Sequence, residues 1–182
     1  AEHTIAMMLA LSRNIPEAHR SVKSGEWDRG SFVGVELQGK TLGVIGFGKI
    51  GRHVAHMGSG LGLEILAFDP FLAPHMAEEL GVELVADLGD LASRCDYLTV
   101  HVPKTEGTSA LIGADVLSRA REGLRVINCA RGGIVDEAAL LEAIESGRVA
   151  GAALDVFEEE PPTNRELVDH PAVVVTPHLG AS

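Results

Sequence analysis

Apolar residues in this 182-residue chain gather in short runs, and between the runs they recur every three or four positions. That is the pattern of buried strands alternating with helices that cover them. The runs predict strands at 41–45, 64–68, 82–85, 97–102, 125–129, 150–155 and 173–176. A helix from about Lys49 to Gly58 lies between the first two strands, and Asp69-Pro70 stops the second. Asp136 is suited to cap "EAALLEAIES", whose Leu140, Leu141 and Ile144 share a face and which closes at Gly147. The opening "AEHTIAMMLALSR" is apolar on nearly every side from Ile5 to Leu11 and predicts a buried helix. Glu2 and His3 stand where a signal peptide needs basic residues, and the run falls far below the ~20 residues that cross a bilayer. No linker, repeat or low-complexity stretch divides the chain, so residues 1–182 read as one α/β domain built on a doubly wound parallel sheet. A buried helix placed first, with no initiator Met before it, predicts a piece of a longer polypeptide.

Composition narrows the partners. With 46% hydrophobic and 23% charged residues the chain is an ordinary globular one, long enough to bury roughly 70% of its unfolded surface without a metal or disulfide staple. A net charge of -11 argues against nucleic acid and anionic membrane, which would both be repelled. Cys95 and Cys129 form no C-x-x-C or metal-ligand spacing, so a cytoplasmic address with reduced thiols is expected and no metal is. A small anion can still bind where positive groups are local.

The stretch "GVIGFGKIG" sharpens that possibility. A chain with 21 glycines produces a G-x-G-x-x-G spacing by chance in turns that bind nothing, so context decides. Here the motif follows a strand, opens a helix, and has a carboxylate, Asp69, eighteen residues past its last glycine at the end of the next strand. Gly46 permits the tight turn, Gly48 lets backbone approach a pyrophosphate, and Gly51 lets helix pack on sheet, while the helix N-terminus offers free N–H groups. Asp69 would accept from the ribose hydroxyls and repel a 2'-phosphate, and Pro70-Phe71 supplies no arginine to offset that, so the expected cofactor is NAD rather than NADP.

Ligands of such sheets sit at the carboxyl ends of the strands, and the polar residues there are His101, Val102 and Pro103 after "YLTV", Arg131 after "VINCA", Glu158 to Glu160 after "GAALDV", and His178 after "VVVTP". Singly each has a duller reading: a solvated acidic turn before two prolines, a surface arginine, one of eight histidines. Delivered together to one sheet edge they are the set that oxidises a 2-hydroxy acid. His178 would take the hydroxyl proton, Glu160 would orient its ring and stabilise the imidazolium, and Arg131 would hold the substrate carboxylate.

At these residues the chain resembles the nucleotide-binding domain of the D-isomer-specific 2-hydroxyacid dehydrogenases. The likeness runs through "AEHTIAMMLALSRNIPEAHRSVKSGEWDR", "GKTLGVIGFGKIGRHVA", "DYLTVHVPKT", "NCARGGIVDEAALLEAIESGRVAGAALDVFEEEPP" and "TPHLGAS", in family order and spacing across essentially the whole chain. It implies a Rossmann-like fold in three α/β/α layers. It puts the catalytic arginine on Arg131, the glutamate on Glu160, twenty-nine positions later, and the histidine on His178. It puts cofactor contacts on Lys49, Ile50, Asp69, Val102, Cys129, Ala130, Arg131, Asp155, His178, Gly180 and Ala181. It favours 3-phosphoglycerate as the 2-hydroxy acid, oxidised on the way to L-serine. Glyoxylate or hydroxypyruvate reduction is a second reading, and NAD-controlled assembly, as in the family's transcriptional corepressors, is a third. The family also implies a homodimer, with Ile5, Met8 and Leu9 as candidates for the shared surface unless they pack only within their own domain. Trp27 would anchor the same segment or join the core. Cys129 reads as a packing residue rather than a nucleophile. Two positions depart from the family pattern: Lys49 stands where arginine is common, and Gly58 and Gly60 weaken the end of the first nucleotide-binding helix. The family's separate substrate domain is expected to lie outside this chain, which alone would bind NAD with little turnover.

Overall fold

The apolar runs form strands with both faces covered, as alternate side chains enter two different cores. In the computed structural model, which describes residues 1–181, the strands are β1 (Thr41–Ile45), β2 (Glu64–Phe68), β3 (Glu83–Leu84), β4 (Tyr97–Val100), β5 (Leu124–Asn128), β6 (Val149–Leu154) and β7 (Val173–Val175). They pair in parallel in the order β3-β2-β1-β4-β5-β6-β7. Leu42, Val44, Tyr97, Ile127 and Ala153 point into one core with α1 (Glu2–Ser12) and α3 (Lys49–Gly60). Ile45, Leu98, Val100, Val126 and Leu154 point into the other, with α5 (Leu88–Arg94), α6 (Ala114–Ser118), α7 (Glu137–Glu145) and α8 (Arg165–Val168). The result is a Rossmann-like, three-layer α/β/α domain. Two further helices, α2 (Ile15–Lys23), which buries no residue, and α4 (Pro74–Glu79), complete the set. Among the described residues no helix is long and apolar enough to cross a membrane.

Chain order reverses between β1 and β4, the topological switch point where such sheets open a crevice. The predicted strand 97–102 stops at Val100 because its neighbour β1 turns away after Ile45. The His101 N–H donates to the Ile45 carbonyl at 2.7 Å, and beyond that no partner backbone remains. Asp136 caps α7 as expected, its carboxylate accepting from the Ala139 N–H at 3.0 Å.

Three expectations change. Ile5 and Met8 turn into the core of their own domain, Met8 only 1% exposed, and Leu9 is half-buried against the same cluster, so this face of α1 is not a partner surface. Trp27 joins no core and is 81% exposed. The helix α3 runs through both suspect glycines to Gly60, and Gly58 has a purpose: a Cβ there would lie 3.0 Å from Leu42 Cδ2, so glycine lets α3 lie close on β1.

Candidate functional site

Two adjoining cavities open along the carboxyl edge of the sheet and share His101, Val102 and Pro103. One, of about 570 Å³, runs from Gly46 and Gly48 to Asp69 and Phe71. The other, of about 470 Å³, is lined by Ile50, Lys104, Cys129, Ala130, Arg131, His178, Gly180 and Ala181. Each is within the size range of a small-molecule site.

The glycine turn between them has the shape a dinucleotide requires. Gly46 has φ +85°, and a Cβ on it would lie 2.6 Å from Val102 Cγ1 and 2.7 Å from the His101 carbonyl. Gly51 packs under the turn against the Gly46 carbonyl and lies outside the cavity walls. Gly48 is the opposite case: nothing lies within 4 Å of where its Cβ would be, so the backbone there faces open space at the start of α3. No side chain caps α3, which leaves its first N–H groups and the positive end of its dipole for an anion. Lys49, the first residue of α3, is exposed beside them. Asp69 is braced at the far end of this cavity: Oδ2 accepts from the Phe47 N–H at 2.8 Å and Oδ1 from the Phe71 N–H at 2.9 Å. These residues fit NAD.

The second cavity holds the proposed chemistry. His178 Nδ1 lies 2.8 Å from Glu160 Oε2, and the other oxygen of Glu160 accepts from the Phe157 N–H at 3.2 Å. The hydrogen bond from His178, opposed by partial burial and helped by the Phe157 N–H, holds the Glu160 carboxyl below its ordinary value. The Arg131 guanidinium donates to the Ala130 carbonyl at 2.6 Å and keeps further N–H groups for a ligand. Lys104, whose ammonium lies over Gly133, adds a second cation to the wall. Neither cation is ion-paired among the described residues. Burial pushes the Cys129 thiol up to about 12, which fits a packing residue and not a nucleophile. Burial likewise lowers His101 to about 4, so this ring, 3.0 Å from Thr99 Oγ1, is a neutral wall between the cavities.

Asp155, like Gly51 and Lys49, lines neither cavity. It is fully buried and lies beneath the cavity rather than in its lining. Its carboxylate accepts from Thr176 Oγ1 at 2.5 Å and from the N–H groups of Leu179 and Gly180, each at 2.7 Å, while its carbonyl accepts from the His178 N–H at 2.9 Å. Burial raises this carboxyl, but those donors together outweigh it and hold it below its ordinary value. The turn so gripped is strained, for His178 has φ +57°, a left-handed conformation that a residue with a Cβ adopts at a cost.

Sequence reasoning missed the residues that shape the turns. Asn128 accepts from the Ala130 N–H and donates to the Arg131 carbonyl, both at 3.0 Å, which fixes the bend carrying the guanidinium. Its only signal was its place in "NCARGG". Gly132 lets that bend touch the Phe157 carbonyl, where any Cβ would collide. His3 and Thr176 approach Asp155 from α1 and from beyond β7, and nothing local in either segment pointed to that meeting.

A family model for the D-isomer specific 2-hydroxyacid dehydrogenase NAD binding domain matches residues 5–180. The D-3-phosphoglycerate dehydrogenase of Bacillus subtilis is 52% identical over all of this chain, which covers 34% of that protein. The D-3-phosphoglycerate dehydrogenase of Archaeoglobus fulgidus is also 52% identical with the same coverage. Among solved structures, the D-lactate dehydrogenase of Aquifex aeolicus in complex with NAD and lactic acid superposes with a TM-score of 0.88 at 33% identity, over 98% of this chain and 58% of that one. The chain thus spans about a third of the length of the curated relatives it matches.

Proposed function

The chain belongs to the D-isomer-specific 2-hydroxyacid dehydrogenases as their NAD-binding domain, and from that premise we propose that it works within a D-3-phosphoglycerate dehydrogenase, oxidising 3-phosphoglycerate to 3-phosphohydroxypyruvate at the first step toward L-serine. The observation that carries the reaction class is His178, 2.8 Å from Glu160, on a cavity that also presents Arg131. Bound NAD supplies the hydride acceptor. Glu160 orients the ring through Nδ1, leaving His178 Nε2 to take the hydroxyl proton and return it in the reverse direction. Arg131 holds the carboxylate beside the reacting carbon and stabilises charge on its oxygen. Two features support a phosphorylated substrate: the 52% identity to proteins of that name, and Lys104, a second cation without an ion pair among the described residues and suited to a second anionic group. Isolated from water by a substrate domain carried elsewhere on the polypeptide, the pair would exchange its proton with substrate alone.

A homodimer and a cytoplasmic address go with this reading. Ile15, Val22, Trp27 and Val33, all more than half exposed on α2 and the stretch after it, support pairing through residues 15–33. The two cysteines, neither in a disulfide, agree with a reducing compartment.

The test is steady-state kinetics on the complete polypeptide with 3-phosphoglycerate, D-glycerate and D-lactate, and in reverse with hydroxypyruvate and glyoxylate. We expect a clear preference for the phosphorylated acid, and a fall in kcat of about 10²- to 10⁴-fold in His178→Ala with NADH affinity little changed. Preference for glyoxylate or hydroxypyruvate would move the protein to the reductases, and NADH binding with no turnover of any acid would make it an NAD-controlled assembly factor.

A further inference from the structure

The ring of His3, at the start of α1, meets the turn that carries His178. His3 Nε2 lies 3.2 Å from Asp155 Oδ1 and 3.1 Å from Thr176 Oγ1. Counting hydrogens fixes the direction of these bonds. Thr176 has one hydroxyl hydrogen, and Asp155 Oδ1, at 2.5 Å, takes it; its other neighbour, Met7 Sδ at 3.7 Å, is a weak acceptor. With that hydrogen spent, His3 Nε2 faces two oxygens that can only accept. A bare nitrogen lone pair would be repelled by both, so Nε2 carries a proton and donates it between them.

We infer that His3 is a positioning residue for His178: its Nε2–H, given to Asp155 and Thr176, locks the carboxylate that grips the 176–180 turn. The inference rests on the reading of His178 as the proton carrier. Asp155 is the hub. Its Oδ1 receives Thr176, the Leu179 N–H and His3, its Oδ2 receives the Gly180 N–H, and its carbonyl receives the His178 N–H. The left-handed backbone of His178 is therefore held on both sides by one residue, and that residue is fully buried. Without His3, a buried carboxylate oxygen loses a donor and the threonine hydroxyl a partner, which frees the carboxylate to rotate. That rotation drags the amides of Leu179 and Gly180 with it. Glu160 fixes the ring of His178 from above while the Asp155–His3 pair fixes its backbone from below, so the first helix of the domain is wired to its chemistry.

Two readouts test this, one of them independent of turnover. In the complete polypeptide, His3→Leu removes the donor and His3→Gln restores an N–H near the position of Nε2. Amide hydrogen exchange at Leu179 and Gly180 is expected to rise about tenfold in H3L and to return toward the native rate in H3Q. With 3-phosphoglycerate and NAD, kcat in H3L is expected to fall on the order of 10- to 100-fold, as a displaced catalytic group would require, with H3Q recovering most of the loss. If H3L does not fold, His3→Asn, too short to reach the carboxylate, replaces it. Unchanged exchange in H3L overturns the inference, and so does an H3Q as impaired as H3L, which would mean packing rather than a donor. His178→Ala, assayed alongside, separates the two readings. If it is inactive while H3L turns over normally, the positioning role alone falls; if it retains full activity, the proton-carrier reading falls and takes this inference with it.

Discussion

Gly46 and Gly48 stand two residues apart, and a methyl group added to each would be felt in different places. At Gly46 it meets Val102 and the His101 carbonyl on a backbone already at φ +85°, so Gly46→Ala should destabilise the fold by about 1–3 kcal/mol and distort the turn as a whole. At Gly48 it enters open space, so Gly48→Ala should unfold within about 0.5 kcal/mol of the native chain and yet, if the pyrophosphate passes there as proposed, bind NADH at least tenfold more weakly. Urea melts and calorimetric titration on the same two variants check this. A Gly48→Ala chain with native NADH affinity would take the turn out of the cofactor site. Asp69→Ala tests the other end of the cavity. If its carboxylate, held by two backbone N–H groups, accepts from the ribose as proposed, the variant should lose about tenfold in NADH affinity while its discrimination against NADPH narrows. An unchanged NADH-to-NADPH ratio would remove Asp69 from the ribose.

Among the elements, α1 decides whether the opening of the chain belongs to this domain or to a neighbour. Met8 is 1% exposed and packs with Leu42, Tyr97 and Ile127, and Ser12 Oγ lies 2.9 Å from the buried Tyr97 hydroxyl. Met8→Ala should therefore lower unfolding free energy by about 2–5 kcal/mol, independent of protein concentration. A loss that appears only as weaker self-association would mean that α1 buries its apolar face against another subunit. Sequence could not settle this, because α1 is apolar nearly all round, and such a helix carries no label for which neighbour covers it. The strands were legible for the opposite reason. Alternate residues of β1, β4, β5 and β6 enter two cores, which demands continuous apolar runs, and their boundaries agreed within a residue or two. The site divides along the same line. Gly46, Asp69, Arg131, Glu160 and His178 sit at strand ends where the chain pattern itself directs attention. Asn128 acts on the backbone of the bend just after it, and Thr176 and His3 act on the Asp155 side chain from segments remote in sequence; neither kind of contact leaves a periodic trace.

The whole molecule presents two adjoining open cavities along the carboxyl edge of its sheet. Asp69, the glycine turn, Val102 and the Cys129–Arg131 bend all lie along one sheet edge, so this 182-residue chain should bind NADH on its own. The His178 side chain is 42% exposed and Glu160 39%, with Arg131 also in solvent. Water at these groups weakens the hold of the guanidinium on a carboxylate and lets the His178 proton exchange with solvent rather than substrate. The chain alone should therefore turn over 3-phosphoglycerate at least about 10³-fold more slowly than the complete polypeptide, the order of rate that orientation and closure supply. The two quantities must be measured on one preparation: NADH affinity by calorimetry, and turnover by absorbance at saturating NAD. Tight NADH binding with negligible turnover places the missing rate in whatever covers the cavity. Turnover near that of the complete polypeptide would mean that Arg131, Glu160 and His178 are sufficient while still exposed to water, and the role given to closure would be withdrawn.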